Sequence, residues 1–293
     1  MKEKKSQSRL LHRLLHGRRA DSFALSPEEL ATLSKQGWVC PRLRYKRAGA
    51  LAQGMRTYFA RPLPEKQQGP TYASKDERGY GRGAGGGKEM YFIRTQPLPS
   101  DFDAEATAFW IWSHRLALSL LRQIAVSCNM PAEALSRVVE AGSAIPQTAP
   151  NSNLLRLFHY LPGEGLAAGV HRDAGLLAIG LHTAPGLQAC DGTAWTDTER
   201  GIADDAVVIM VGRTLTRLTS LRYNSCVHRV CRGAAARLSM VYHLRVRRDA
   251  VLRSADFPAP QGMAPLPPFE ATGEELHEFF ARALTSTNAF DPT

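Results

Sequence analysis

The chain has 293 residues, 44% of them hydrophobic and 22% charged, a globular composition that excludes a disordered, collagen-like or coiled-coil protein. Its cleanest apolar runs, such as 206–212, fall well short of the roughly 20 residues that cross a bilayer. The formal net charge of +10 raises a nucleic-acid reading, but the charge is concentrated in two places. Residues 1–24 hold seven Lys or Arg against Glu3 and Asp21, and residues 206–248 hold nine arginines and no acid.

In chain order, the first 24 residues are expected to be a disordered or targeting tail. Leu10, Leu11, Leu14 and Leu15 recur among basic residues as on an amphipathic helix. The expected address is cytoplasmic, with mitochondrial import through this segment as the alternative. Five cysteines with no C-x-x-C pair argue against a disulfide framework or a zinc ribbon and suit a reducing compartment. A helix is predicted at 26–36, where Ser26, Pro27 and Glu29 form a capped start and Gly37 a stop. A short strand follows at 38–43 and a second helix at 46–60, ended by Pro62 and Pro64.

Residues 62–100 are rich in Gly and Pro and read as a long loop, with a lid as its functional form. They lack the Gly-Lys-Ser/Thr ending of a phosphate-binding loop. The longest helix is predicted at 103–128, capped by Asp101 or Asp103, and a short one at 131–140. From 153 to 247 the pattern turns to about eight short strands, with Asp191-Gly192 as a hairpin turn between two of them. A Pro-rich linker spans 257–268. A last helix starts at Thr272, with Glu275 completing its cap.

This order predicts a mainly β protein with helices (α+β): a barrel or a jelly roll, the latter a double-stranded β-helix, behind an N-terminal helical layer. Its expected parts are the tail (1–24), a helical region (25–150), the jelly-roll core (151–250), and a linker with a C-terminal helix (251–293).

His171 and Asp173 lie two apart, so on a strand they share a face. An imidazole and a carboxylate side by side can hold one divalent metal. A second imidazole from His228 would complete a set of two His and one carboxylate, which leaves three positions open for a bidentate co-substrate and O₂. Arg237 and Ser239 also share a strand face. A guanidinium and a hydroxyl so placed can bind a carboxylate, so a dicarboxylate could span from the metal to this pair.

His171-x-Asp173, His228 after 54 intervening residues, and Arg237-x-Ser239 after eight more resemble the isopenicillin N synthase-like Fe(II)/2-oxoglutarate-dependent dioxygenases. The similarity extends along 175–198, 204–230 and 236–244, and in outline to 57–66, Gly79–Gly81 and Lys88-Glu89. The resemblance implies that His171, Asp173 and His228 bind Fe(2+). It implies that Arg237 and Ser239, with Tyr160, bind the distal carboxylate of 2-oxoglutarate, and that O₂ is consumed. Hydroxylation of a small organic molecule, with release of succinate and CO₂, is the implied reaction. The family often has Asn two residues before the tyrosine; here that position is Phe158.

Arg156 shares a face with Tyr160 and could line the same cavity, whereas His159 points away. His182, His243, Trp38 and Trp195 read as packed residues. One alternative is an Fe(II) oxidase of the same fold that does not use 2-oxoglutarate. The other is a noncatalytic basic β domain that binds nucleic acid, which would need exposed aromatics among the arginines, where Tyr223 alone stands in 213–237. The expected partner is a small-molecule substrate, without nucleic acid or membrane, for a monomeric enzyme.

Overall fold

The computed structural model describes residues 23–70, 78–199, 205–260, 262 and 268–286. Nearly all of the tail reading, and part of the linker, lie outside these residues. The N-terminal layer comprises α1 (Pro27–Gln36), β1 (Trp38–Val39), α2 (Ala48–Phe59) and α3 (Leu63–Lys66). The capping box at the start of α1 forms as the sequence predicts. Glu29 N–H donates to Ser26 Oγ at 3.2 Å and Ser26 N–H donates to Glu29 Oε2 at 2.8 Å, while Gly37 ends the helix at φ 81°.

The expected loop at 62–100 instead contains a hairpin, β2 (Gly79–Arg82) and β3 (Lys88–Ile93). α4 (Asp103–Ser127) is the long helix. Its cap residue is Phe102, with no side-chain bond. Asp101 is instead paired with Arg61 at 2.7 Å, and Asp103 accepts from Thr107 Oγ1 at 3.2 Å. The helix expected at 131–140 is reduced to turns and a single 3₁₀ turn at Ser136–Val138. So short a segment recovers few of the hydrogen bonds that offset the cost of helix nucleation, although Ala134, Leu135, Val138 and Val139 still pack into the main core.

The remaining strands are β4 (Leu154–Tyr160), β5 (Leu166–His171), β6 (Leu177–His182), β7 (Leu187–Cys190), β8 (Trp195–Asp197), β9 (Val208–Val211), β10 (Val227–Cys231) and β11 (Arg237–Leu244). A short helix, α5 (Arg213–Leu218), separates β9 from β10. A small hairpin, β12 (Val251–Arg253) with β13 (Glu270–Thr272), brackets the Pro-rich segment and leads into α6 (Gly273–Ser286), capped by Thr272 and Glu275.

Two antiparallel sheets face each other as in a jelly roll: a seven-stranded one in the order β1-β9-β6-β11-β4-β3-β2 and a four-stranded one, β5-β10-β7-β8. Alternation along the large sheet separates two environments. Leu155 and Leu157 of β4, Ile179 and Leu181 of β6, and Met240 and Tyr242 of β11 join the main core with α4. There Trp110 packs edge-on against Tyr242 at 5.1 Å, and His114 Nδ1 meets Tyr242 Oη at 2.8 Å. The alternate residues face the second sheet. The Asp191-Gly192 turn joins β7 to β8, with Asp191 Oδ1 accepting from Thr193 N–H and Ala194 N–H. No helix among the described residues is long and apolar enough to cross a membrane.

The β2–β3 hairpin is held to the helical layer by a buried ion pair. Lys66 Nζ lies 2.6 Å from Glu89 Oε1, Tyr80 Oη donates to the same oxygen at 2.5 Å, and His159 Nδ1 lies 3.3 Å from Oε2. Burial pushes the Glu89 carboxyl up, but Lys66, Tyr80 and His159 outweigh it and hold it below its ordinary value. A depressed folded-state value means the stabilisation is present above the unfolded carboxylate pKa of about 4.3 and is lost as pH falls through the folded value. Glu89→Gln leaves the Lys66 ammonium buried without its counter-charge and should cost on the order of 3 kcal/mol at pH 7. Urea unfolding checks this, and the gap from wild type should narrow below about pH 4.

Candidate active site

The two sheets enclose a cavity of about 510 Å³. On the small sheet, β5 and β10 pair antiparallel with His171 opposite His228. His171 ends β5, and Asp173 follows two residues later. One ligand atom from each of His171, Asp173 and His228 lies within 4.8 Å of the others, and the two rings are 4.1 Å apart.

Backbone carbonyls fix both imidazoles in the same way. His171 Nδ1 lies 2.7 Å from Gly169 O and His228 Nδ1 3.2 Å from Cys226 O. A carbonyl only accepts, so Nδ1 must carry the proton. The Nε2 lone pair of each ring is left available, the tautomer a metal-binding histidine requires. His228 Nε2 is 4.0 Å from Asp173 Oδ2, a buried oxygen with no hydrogen-bond partner. A buried carboxylate oxygen in this condition is costly unless a cation meets it.

The charges agree with that reading. Burial pushes the Asp173 carboxyl up, but His243, His228, His171 and Arg156 hold it well below the usual carboxylate range. Burial and the neighbouring His228 push His171 down to about 4. Near neutral pH the site therefore presents a neutral His171 imidazole and the Asp173 carboxylate, with the His228 ring beside them. That donor set suits a divalent first-row metal with open positions. Among the described residues this is the one cluster of three or more His, Cys, Asp or Glu placed to hold a metal ion.

The large sheet supplies the facing wall, where Arg237, Ser239, Val241 and His243 of β11 all line the cavity. Tyr160 lies directly across from Arg237 in the register, and the guanidinium carbon sits 5.4 Å from the centre of its ring. The Arg237 side chain is already partly engaged. Nε donates to Ala184 O at 2.8 Å and Nη2 to Glu199 Oε1 at 2.8 Å, whereas Nη1 is buried with no partner. Glu199 is anchored in turn by Leu187 N–H, 2.8 Å from Oε2. Ser239 Oγ lies 2.6 Å from His182 Nδ1, and His182 Nε2 is 3.6 Å from Glu199 Oε1.

Glu199 therefore fixes the plane of the guanidinium from behind and leaves one arm for a carboxylate in the cavity. Nothing in the sequence signals Glu199, which lies two residues beyond β8. His182 and His243, read from sequence as packed residues, both line the cavity, and His243 Nδ1 is 3.9 Å from Asp173 Oδ2. Gly180 makes room for the His182 ring, since a Cβ there would come within 2.8 Å of Nε2. Arg156 and Phe158 line the cavity as well, while His159 turns outward to Glu89. Trp195, also read as core, is half-exposed beneath Arg229 at 4.1 Å.

Residues 151–246 match the family model of the 2OG-Fe(II) oxygenase superfamily. Gibberellin 20 oxidase 3 of Oryza sativa subsp. japonica is 30% identical over 150 residues, 47% of this chain and 38% of the oxidase, so the match spans well under half of that relative. A full-length Neurospora crassa protein solved in complex with alpha-KG has the same fold. It superposes with a TM-score of 0.70 at 18% identity, covering 93% of this chain and 94% of that one. JOX2 in complex with 2OG, Fe and JA gives a TM-score of 0.67 at 15% identity, covering 86% and 80%.

A divalent ion that binds the folded chain through this cluster stabilises it by mass action, by about 2.7 kcal/mol at 100 times its Kd. Thermal unfolding with increasing Co(II) should show a rising midpoint for wild type. The rise should be absent in Asp173→Ala.

Proposed function

Because residues 151–246 match the model of the 2OG-Fe(II) oxygenase superfamily, we propose that this protein is a non-haem Fe(II)- and 2-oxoglutarate-dependent dioxygenase that hydroxylates a small organic molecule. The observation that carries the reading is the pairing of two sites across one cavity: the His171–Asp173–His228 cluster on one wall and the unpartnered Nη1 of Arg237 on the other. The alpha-KG, 2OG and Fe found in structures of like fold support it.

His171, Asp173 and His228 would hold the iron. Bound there, Fe(II) supplies the oxidative chemistry in which O₂ and 2-oxoglutarate give succinate, CO₂ and one oxygen atom inserted into a C–H bond of the substrate. The chain's own residues perform the rest. Gly169 O and Cys226 O keep each imidazole in the tautomer that offers Nε2. Arg237 Nη1 receives the distal carboxylate of the co-substrate, with Ser239 and Tyr160 beside it. Glu199 and Ala184 O keep the guanidinium from turning away. The main core behind β11 excludes water from that end.

One observation favours a second reading, an Fe(II) oxidase that uses no 2-oxoglutarate. Glu199 already neutralises Arg237, which lessens its pull on a carboxylate. The two readings divide on succinate, which an oxidase does not form. The nucleic-acid reading draws no support from Tyr223, which is buried and bonded to Ser127 at 2.7 Å.

Protein reconstituted with Fe(II) should convert 2-oxoglutarate to succinate, and Asp173→Ala should lower that rate at least about 100-fold; mutant turnover at the wild-type rate would sink the assignment. Glu199→Gln can no longer accept from both Leu187 N–H and Arg237 without turning an NH₂ toward a donor. Its KM for 2-oxoglutarate should rise about tenfold, the loss of guanidinium orientation outweighing the charge that residue 199 no longer neutralises.

A further inference from the structure

Resting on the dioxygenase reading above, the geometry points to the chemical class of the primary substrate: a planar, aromatic or conjugated carboxylic acid whose carboxylate is held by Lys88. The inference comes from the part of the large sheet that neither the metal cluster nor Arg237 uses.

β3 and β4 pair with Lys88 opposite Tyr160, Met90 opposite Phe158 and Phe92 opposite Arg156, and all six side chains line the cavity. Three of them form a continuous aromatic surface. Phe158 stacks on Tyr160 at 5.5 Å and 21°, and Phe92 meets Phe158 edge-on at 5.8 Å and 84°. This surface belongs to the large sheet, and the metal cluster belongs to the small one. A flat ring laid on Phe158 thus faces the His171–Asp173–His228 cluster across the cavity. Aromatic rings favour offset-stacked or edge-on neighbours of this kind.

Lys88 gives the surface its charge. Its ammonium lies 5.8 Å from the centre of the Phe158 ring. Its stem is pinned over Gly83, where a Cβ would come within 2.6 Å of Lys88 Cγ. The side chain is half-buried, and no carboxylate among the described residues pairs with it. Burial, and then Arg156, push its pKa down. An ammonium so placed gains most from an incoming anion. Among the described lining residues Asp173 is the only carboxylate, and it belongs to the metal cluster. The co-substrate's far carboxylate has Arg237, so the anion left for Lys88 is the substrate's.

The test measures affinities by calorimetry under anaerobic conditions, with Co(II)-loaded protein, so that no turnover is needed. The probes are benzoate, phenylacetate, cinnamate and 2-naphthoate with their primary amides, cyclohexanecarboxylate, and 2-oxoglutarate. At least one aromatic acid should bind about tenfold or more tightly than its own amide and than cyclohexanecarboxylate. Lys88→Met should remove the preference for acid over amide, Lys88→Arg should retain it, and neither should change 2-oxoglutarate affinity more than about twofold. Circular dichroism confirms that both variants fold. Equal binding of acid and amide to wild type overturns the proposal, as does a Lys88→Met protein that loses 2-oxoglutarate and acid to the same extent. Failure of wild type to bind 2-oxoglutarate at all instead overturns the dioxygenase reading, so the two failures are separable.

Discussion

The site depends on β11 being a strand with no solvent face. All eight of its residues are buried, and alternate side chains divide them between two environments. Leu238, Met240, Tyr242 and Leu244 pack into the main core with α4, and Arg237, Ser239, Val241 and His243 face the cavity. A one-residue slip would put an arginine in the helix interface and a leucine in the site, so packing on one face specifies register on the other. Rigid placement of cavity side chains follows from core packing that makes no contact with substrate.

A buried guanidinium is the electrostatic cost of that arrangement. It is met by a carboxylate that is itself buried, anchored by a backbone N–H and placed outside the cavity lining. The pair leaves one N–H arm unmatched, as the metal cluster leaves one carboxylate oxygen unmatched. A buried polar atom without a protein partner is costly unless a ligand meets it, and these two atoms on opposite walls call for a cation at one and a carboxylate at the other. Under the proposed function, a dicarboxylate on Arg237 and a cation on Asp173 would match both atoms.

The chemistry was legible because it rests on strict strand periodicity. His171 with Asp173, and Arg237 with Ser239, share faces by the rule of two, and their spacing matches a family. Caps at Ser26 and Thr272 were legible for a similar reason, since each bonds only three residues away. The β2–β3 hairpin was hidden because GYGRGAGGGKE has few side chains to show alternation, and its strands are defined by pairing with β4, far along the chain. Lys88 entered the sequence reading only as part of the family resemblance, and Phe92 not at all, because the pairing that places both beside β4 has no local pattern. Glu199 was hidden because its role depends on a contact 38 residues away from a position with no local pattern.

The central claim is that one dicarboxylate joins the two walls. Anaerobic titration of the Fe(II) protein, followed by the weak visible charge-transfer band of a 2-oxo acid chelated to iron, tests it most directly. The account predicts a saturable band with 2-oxoglutarate. It also predicts that 2-oxobutyrate, which has the chelating end and lacks the distal carboxylate, gives the band only at concentrations at least about tenfold higher, the loss of one charge-assisted contact. Folded, iron-loaded protein that shows no band, or equal midpoints for the two acids, would contradict it.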